Sequence, residues 1–211
     1  MIPLEIWSDP ICPWCFIGKA RLDRALEHRP DHPFEIRWRP FQLNPDMPRA
    51  GMDRREYMVL KFGGDEGVLN AYRPVIEAAE ATGLTLDLPG IACVPNTLDA
   101  HRLIHWAGLE GRQSMMVNRL FRAYFQEGRD LGDRSELTTL ATEAGLDQAM
   151  VARLLESDAD SEMIRAADRD ARARGIQGVP CFIIDARHAI SGAQPTELWL
   201  RVIDELTGAQ T

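Results

Sequence analysis

The order of apolar and polar positions divides the chain into a strand-rich beginning, a long helical middle and a strand-rich end. Ile2 to Trp7 is a short apolar run that reads as a first strand. Phe34 to Leu43, where Phe34, Ile36 and Trp38 alternate with charged residues, reads as a second. Between them, Cys12 to about His28 collects Phe16, Ala20, Leu22, Ala25 and Leu26 on one side, which predicts a helix. Arg29-Pro30-Asp31-His32-Pro33 breaks it. Two strands joined by a helix make a βαβ unit with parallel strands.

The middle is punctuated by helix signals. Asp53-Arg54-Arg55-Glu56 resembles a capping box that starts a short helix through about Phe62. A second helix runs from near Asp65 to Thr82, with Gly83 suited to its end and Pro74 either kinking it or marking its true start. Leu84 to Pro95 is irregular. Asn96 or Thr97 then caps a helix holding Leu98, His101, Ile104 and His105, and Gly108 and Gly111 interrupt before Met115 to Phe125. Asp133-Arg134-Ser135-Glu136 is another capping box; Gly145 ends that helix, Asp147 begins the next, and a last helix of the block spans about Asp160 to Arg174. Strands return at Cys181 to Ile184 and Ala189 to Ser191, joined by a turn at 185–188, and Pro195 to Leu206 closes the chain as a helix. The arrangement predicts one sheet domain made of residues 1–46 and 175–211, interrupted by an all-helical insertion at 47–174.

Composition narrows the functions this fold can serve. With 211 residues, 45% of them hydrophobic, the chain can bury a substantial core. A formal net charge of −8 argues against nucleic acid or an anionic membrane surface as partner. No apolar run approaches the roughly 20 residues of a membrane span, and no signal-like segment precedes the first strand, so the expected location is cytoplasmic. Four cysteines do not make a disulfide framework, and in a reducing compartment a close pair points to catalysis or metal.

That pair is Cys12-Pro13-Trp14-Cys15. A strand leading into a CxxC at a helix start is the signature of a thioredoxin-like redox site. Pro13 suits the first helical position, which makes Cys12 the N-cap and places Cys15 on the same face of the first turn. A thiolate at an N-cap faces unpaired N–H groups and the positive end of the helix dipole. CxxC nucleophiles so placed ionise at roughly 3.5–7.5, against about 8.5 for free cysteine. The expectation is Cys12 as nucleophile and Cys15 as the buried resolving thiol. Cys181 reads as a small apolar strand residue and Cys93 as a loop or pocket thiol. His101 and His105 have the i, i+4 spacing of two metal ligands, but lack the glutamate of an HExxH motif, so no metal is assigned.

Taken together, several segments resemble the DsbA-like thioredoxin-fold proteins, in particular the cytoplasmic FrnE-type group. They are Ser8-Asp9, the CPWC tetrapeptide, Phe16-Ile17-Gly18, Phe41-Gln42-Leu43-Asn44-Pro45, Asn96-Thr97 with Ala100-His101-Arg102-Leu103, Gly178-Val179-Pro180 and Ile190 to Pro195. The resemblance covers nearly the whole chain. It implies an α/β thioredoxin fold with the helical insertion between the second and third strands. It also implies a cis Val179–Pro180 bond beside the CxxC, with Val179, Pro180 and Trp14 contacting substrate. The DsbA pattern carries histidine where Trp14 stands, so Cys12 is expected to be less acidic here and the disulfide less oxidising. Asp9 acts in the same direction if its charge is close, or is a turn residue only.

The activity implied is protein thiol–disulfide exchange, with a disulfide-containing protein or peptide, or a small disulfide, as partner. No resident cofactor is expected; glutathione is a candidate reductant or co-substrate. Trp14, Phe16 and apolar side chains of the helical block are candidate groove lining. The alternative is a glutathione-dependent isomerase or kappa-class-like transferase acting on a small molecule. Those enzymes resemble this chain in architecture but generally keep a serine near the position of Cys12 and lack the second cysteine. A peptide-binding chaperone with redox-sensing cysteines is the non-enzymatic reading.

Overall fold

The computed structural model describes residues 1–208. Its main sheet has four strands in the order β2-β1-β5-β6, and draws on both ends of the chain. β1 (Ile2–Ser8) lies in the middle, parallel to β2 (Phe34–Pro40) and antiparallel to β5 (Cys181–Ile184); β6 (His188–Ser191) pairs antiparallel with β5. The fold is thus the expected α/β arrangement, with α1 (Pro13–His28) crossing from β1 to β2 and α9 (Thr196–Thr207) packed beside α1. Between β2 and β5 come α2 (Arg54–Phe62), α3 (Asp65–Ala81), α4 (Leu98–Leu109), α5 (Gln113–Glu127), α6 (Arg134–Glu143), α7 (Gln148–Glu156) and α8 (Ser161–Ala173).

Local chemistry explains most boundaries. Asp53, Asp133 and Asp147 each cap a helix by accepting a backbone N–H of its first turn, at 2.9, 2.7 and 2.6 Å. At α4 the side chain of Asn96, not Thr97, takes the Leu98 N–H, at 2.9 Å. The second strand stops at Pro40 rather than Leu43. Beyond it the amides leave the ladder for carboxylates: Gln42 N–H donates to Asp168 at 2.7 Å and Leu43 N–H to Asp9 at 2.7 Å. Pro74 neither starts nor ends α3, which runs through it. Asn70 and Pro74 both face solvent, so the carbonyl that loses its partner can bond water. Within the region read as irregular, Cys93–Val94 forms a short strand, β4, antiparallel to β3 (Met52–Asp53). Cys93 is therefore a strand residue and not a loop thiol. Two-residue strands are too short for alternation to be legible.

The hydrophobic core is continuous between sheet and helical block. Phe16 of α1 stacks on Phe121 and Phe125 of α5, with ring centroids 5.2 and 5.9 Å apart. Phe182 of β5 meets Trp199 of α9 edge-on at 4.7 Å. Phe16 is 3% exposed, so it belongs to this core and not to a groove lining. The fully buried Arg102 of α4 pairs with Asp99 at 2.6 Å and donates to the carbonyls of Leu154, Ser157 and Ala159, which fixes the α7–α8 connection on α4. Among the described residues, no helix is long and apolar enough to cross a membrane.

The β5–β6 turn carries strain. Asp185 and Ala186 have φ of 51° and 53°, where a Cβ is unfavourable by about 1–2 kcal/mol. Ala186→Gly is expected to stabilise the fold by about 0.5–1 kcal/mol, after the extra unfolded-state entropy of glycine is deducted. A rise of roughly 1–4 °C in Tm by calorimetry would agree, and an unchanged or lower Tm would not.

Candidate active site

The site is assembled where β1 ends. Ser8 is the last strand residue, and the Asp9 carbonyl accepts the Cys12 N–H at 3.0 Å, closing a tight turn into α1. The Asp9 carboxyl accepts N–H groups from Ile11 at 3.4 Å and Leu43 at 2.7 Å, and the Thr97 hydroxyl at 3.5 Å. One buried side chain thus ties the active-site turn, the segment after β2 and the start of α4 together. Asp9 is a turn residue, as one of its two readings had it, and its reach to Leu43 and Thr97 was not legible from local spacing.

Pro13 begins α1, and Cys12 is its N-cap with extended backbone angles. The Cys12 side chain makes no capping bond. Its sulfur instead lies 3.6 Å from the Val179 carbonyl, to which the thiol donates. The Val179–Pro180 bond is cis. Gly18, one turn along α1, allows this approach: a Cβ there would sit 3.1 Å from Pro180 Cγ and 3.4 Å from Phe182 and the Ala193 backbone. Cys15 lies beneath in the first turn, 1% exposed. All four cysteines are free thiols. Trp14 is half-buried and packs against the cluster of Ile17, Val75 and Ala79, which Leu84 and Leu86 also join, so α3 forms one flank of the site.

Of the remaining candidates, Cys181 is buried with Trp7, Phe41, Ala171 and Ile176, the small apolar role expected of it. His101 is buried and turned toward Asp9, with Nε2 at 3.8 Å from Oδ1, while His105 is only half-buried on the same helix. Among the described residues, no group of three or more His, Cys, Asp or Glu side chains is placed to hold a metal ion.

Burial dominates the electrostatics. The Cys15 thiol is pushed well above the ordinary cysteine range, first by desolvation and then by its hydrogen bond to and charge interaction with Cys12. The nearby Ser8 hydroxyl and Asp9 backbone N–H pull the other way. Desolvation likewise raises Asp9 from 3.8 to about 7, against the lowering effect of its hydrogen bonds from Leu43, Ile11 and Thr97. Desolvation lowers His101 from 6.5 to about 4, opposed by the charge of Asp168 and a hydrogen bond to the Phe41 backbone. Asp9 is therefore not the standing negative charge that an exposed aspartate would be. The two sulfurs are unequal: one at the helix end beside a backbone carbonyl, the other sealed below it.

Residues 3–204 match the model of the DSBA-like thioredoxin domain family. The chain is 30% identical over 210 residues to YwbO of Bacillus subtilis (strain 168), covering 97% of this chain and 96% of that one. Among solved structures, it is similar to a probable DsbA oxidoreductase from Streptomyces coelicolor, at 32% identity and a TM-score of 0.87, covering 100% of this chain and 92% of the other. The cytosolic disulfide reductase DsbM from Pseudomonas aeruginosa, solved with GSH, shares the fold at 22% identity and a TM-score of 0.70, covering 98% of this chain and 99% of that one.

The two shifted groups give opposite stability profiles. Asp9, raised in the fold, contributes fully below about pH 4, and that contribution is lost as pH rises through about 7. His101, lowered in the fold, contributes fully above about pH 6.5, and that contribution is lost as pH falls through about 4. Asp9→Asn keeps one acceptor oxygen and removes the ionisation. Urea unfolding at about pH 5 and pH 8 should find the variant gaining on the wild type as pH rises, by about 2–3 kcal/mol between the two. A pH-independent difference would show that Asp9 ionises normally in the fold.

Proposed function

The chain belongs to the DSBA-like thioredoxin domain family, and from that premise we propose that it is a protein thiol–disulfide oxidoreductase of the cytoplasmic, FrnE-like kind. The observation that carries this reading is the pairing of Cys12, at the N-cap of α1 and 3.6 Å from the Val179 carbonyl, with a second thiol, Cys15, sealed in the same helical turn. In this reading the Cys12 sulfur, as thiolate, attacks a substrate disulfide and forms a mixed disulfide. Cys15 then attacks Cys12, the substrate leaves as a thiol, and the pair remains as a disulfide. Pro13 sets the start of the helix, and Trp14 flanks the sulfur.

Val179 and Pro180 form the opposite wall. An incoming peptide bonds to the backbone of Val179 while its sulfur meets Cys12. Substrates of this kind are disulfide-containing proteins, peptides or small disulfides. Glutathione is the proposed reductant of the Cys12–Cys15 disulfide, a reading supported by the likeness to a disulfide reductase solved with GSH. The isomerase or transferase alternative uses only one sulfur, and Cys15 is then without a role.

Single-cysteine variants separate these readings. Cys12→Ser is expected to lower glutathione-driven insulin reduction by at least about a hundredfold. Cys15→Ser should lower turnover similarly while accumulating a substrate adduct at Cys12, readable by intact-mass spectrometry. Full activity of Cys15→Ser toward glutathione and an electrophile, with no adduct, would favour the transferase reading.

A further inference from the structure

Arg54, the first residue of α2, is a held cation that pairs with no carboxylate among the described residues. Its backbone N–H donates to the Ala92 carbonyl at 2.9 Å. Its guanidinium lies 5.7 and 6.0 Å from the ring centres of Tyr72 and Tyr124. Nη1 donates to the Tyr124 hydroxyl at 3.2 Å, and that hydroxyl donates in turn to the Cys93 carbonyl at 3.1 Å. Tyr124 is buried, so the head group is fixed from behind. Nε is also buried, and it has no hydrogen-bond partner. A guanidinium carries five N–H donors, and a buried donor left unpaired is unfavourable by about 1–3 kcal/mol. The two tyrosine rings account for where the group sits, but not for the unpaired Nε.

Arg54 and Tyr72 line a cavity of about 270 Å3 between α2, α3 and the 88–92 segment. Met58, Val68, Leu88 and Ile91 give it apolar walls. The volume is just under the roughly 300–1,000 Å3 usual for drug-sized ligands, so the occupant is small. The two acids on the wall are engaged elsewhere: Asp53 accepts the Glu56 N–H at 2.9 Å, and Asp65 faces Arg55 at 3.9 Å. Arg55 being matched in this way, Arg54 is the cation left for a ligand. One guanidinium against apolar walls suits a single carboxylate on an apolar body, whereas a doubly charged phosphate needs further donors.

We propose that this cavity is a binding site for a small apolar monocarboxylate, whose carboxylate takes two parallel hydrogen bonds from the Nε–Nη2 edge of Arg54 and whose body fills the space between Met58, Val68, Leu88 and Ile91. The seated carboxylate supplies the partner that Nε lacks. Neither Cys12, Cys15 nor Val179 is a wall of the cavity, so the site does not depend on the dithiol reading.

The test is an NMR titration of the reduced full-length chain with 3-phenylpropionate, following the Arg54 Nε–H and the methyl groups of Val68 and Ile91. Its neutral isostere, 3-phenylpropionamide, and inorganic phosphate are titrated alongside. The acid should give saturable shifts at all three residues, with a Kd on the order of 0.1–1 mM for a ligand of this size. The amide should bind at least about tenfold more weakly, and phosphate should not saturate below about 10 mM. Arg54→Gln should weaken the acid by at least about tenfold. Val68→Phe, which fills the cavity from a half-buried position and leaves the guanidinium in place, should do the same. The contrast between acid and amide is read on the wild type, so it stands whether or not a variant folds. Equal affinity for acid and amide, unchanged affinity in a folded Arg54→Gln, or shifts that never saturate would overturn the site. Phosphate binding as tightly as the acid would overturn the ligand class.

Discussion

The approach of the Cys12 sulfur to the Val179 carbonyl, across 167 positions of sequence, is the contact on which the rest of the structure depends. β1 has to pair with β5, in a register that sets Trp7 opposite Cys181, before the 178–180 segment can reach the start of α1. Gly18 has to lack a side chain for Pro180 to close on the helix. The helical block has to fit between β2 and β5 without parting these strands, which it does by sharing one core with them through Phe16, Phe121 and Phe125.

A second layer of polar groups lies behind that contact and works against stability. Asp9, His101, Gln42 and Asp168 are buried at the junction of sheet and helices, and two of them, Gln42 and His101, keep a polar nitrogen unpartnered. Such groups are unfavourable by about 1–3 kcal/mol each where apolar packing would have sufficed. Part of the cost is offset by the amides of Ile11, Gln42 and Leu43, which need acceptors once the chain leaves the β2 ladder.

Much of this was legible in the order of residues. Alternation in Phe34, Ile36 and Trp38, the aspartate caps at 53, 133 and 147, and proline after Cys12 fixed elements and the N-cap position by local chemistry alone. The cis bond before Pro180 came from resemblance and not from any local signal. What could not be read depends on contacts distant in sequence. The end of β2 is decided by carboxylates at positions 9 and 168, the burial of Phe16 by rings on α5, and the pairing of Cys93–Val94 by a two-residue partner. Ser8 and Asp9 were visible as part of a motif, but the bond from the Leu43 amide to the Asp9 carboxyl is a three-dimensional fact.

The most direct test is a redox equilibration of the intact protein in glutathione buffers, with the thiols trapped in acid and located by peptide mapping. The account predicts one reversible two-electron transition in which Cys12 and Cys15 pair with each other while Cys93 and Cys181 stay reduced. A chain in which Cys12 and Cys15 never join, or in which Cys12 pairs with Cys181, would contradict it.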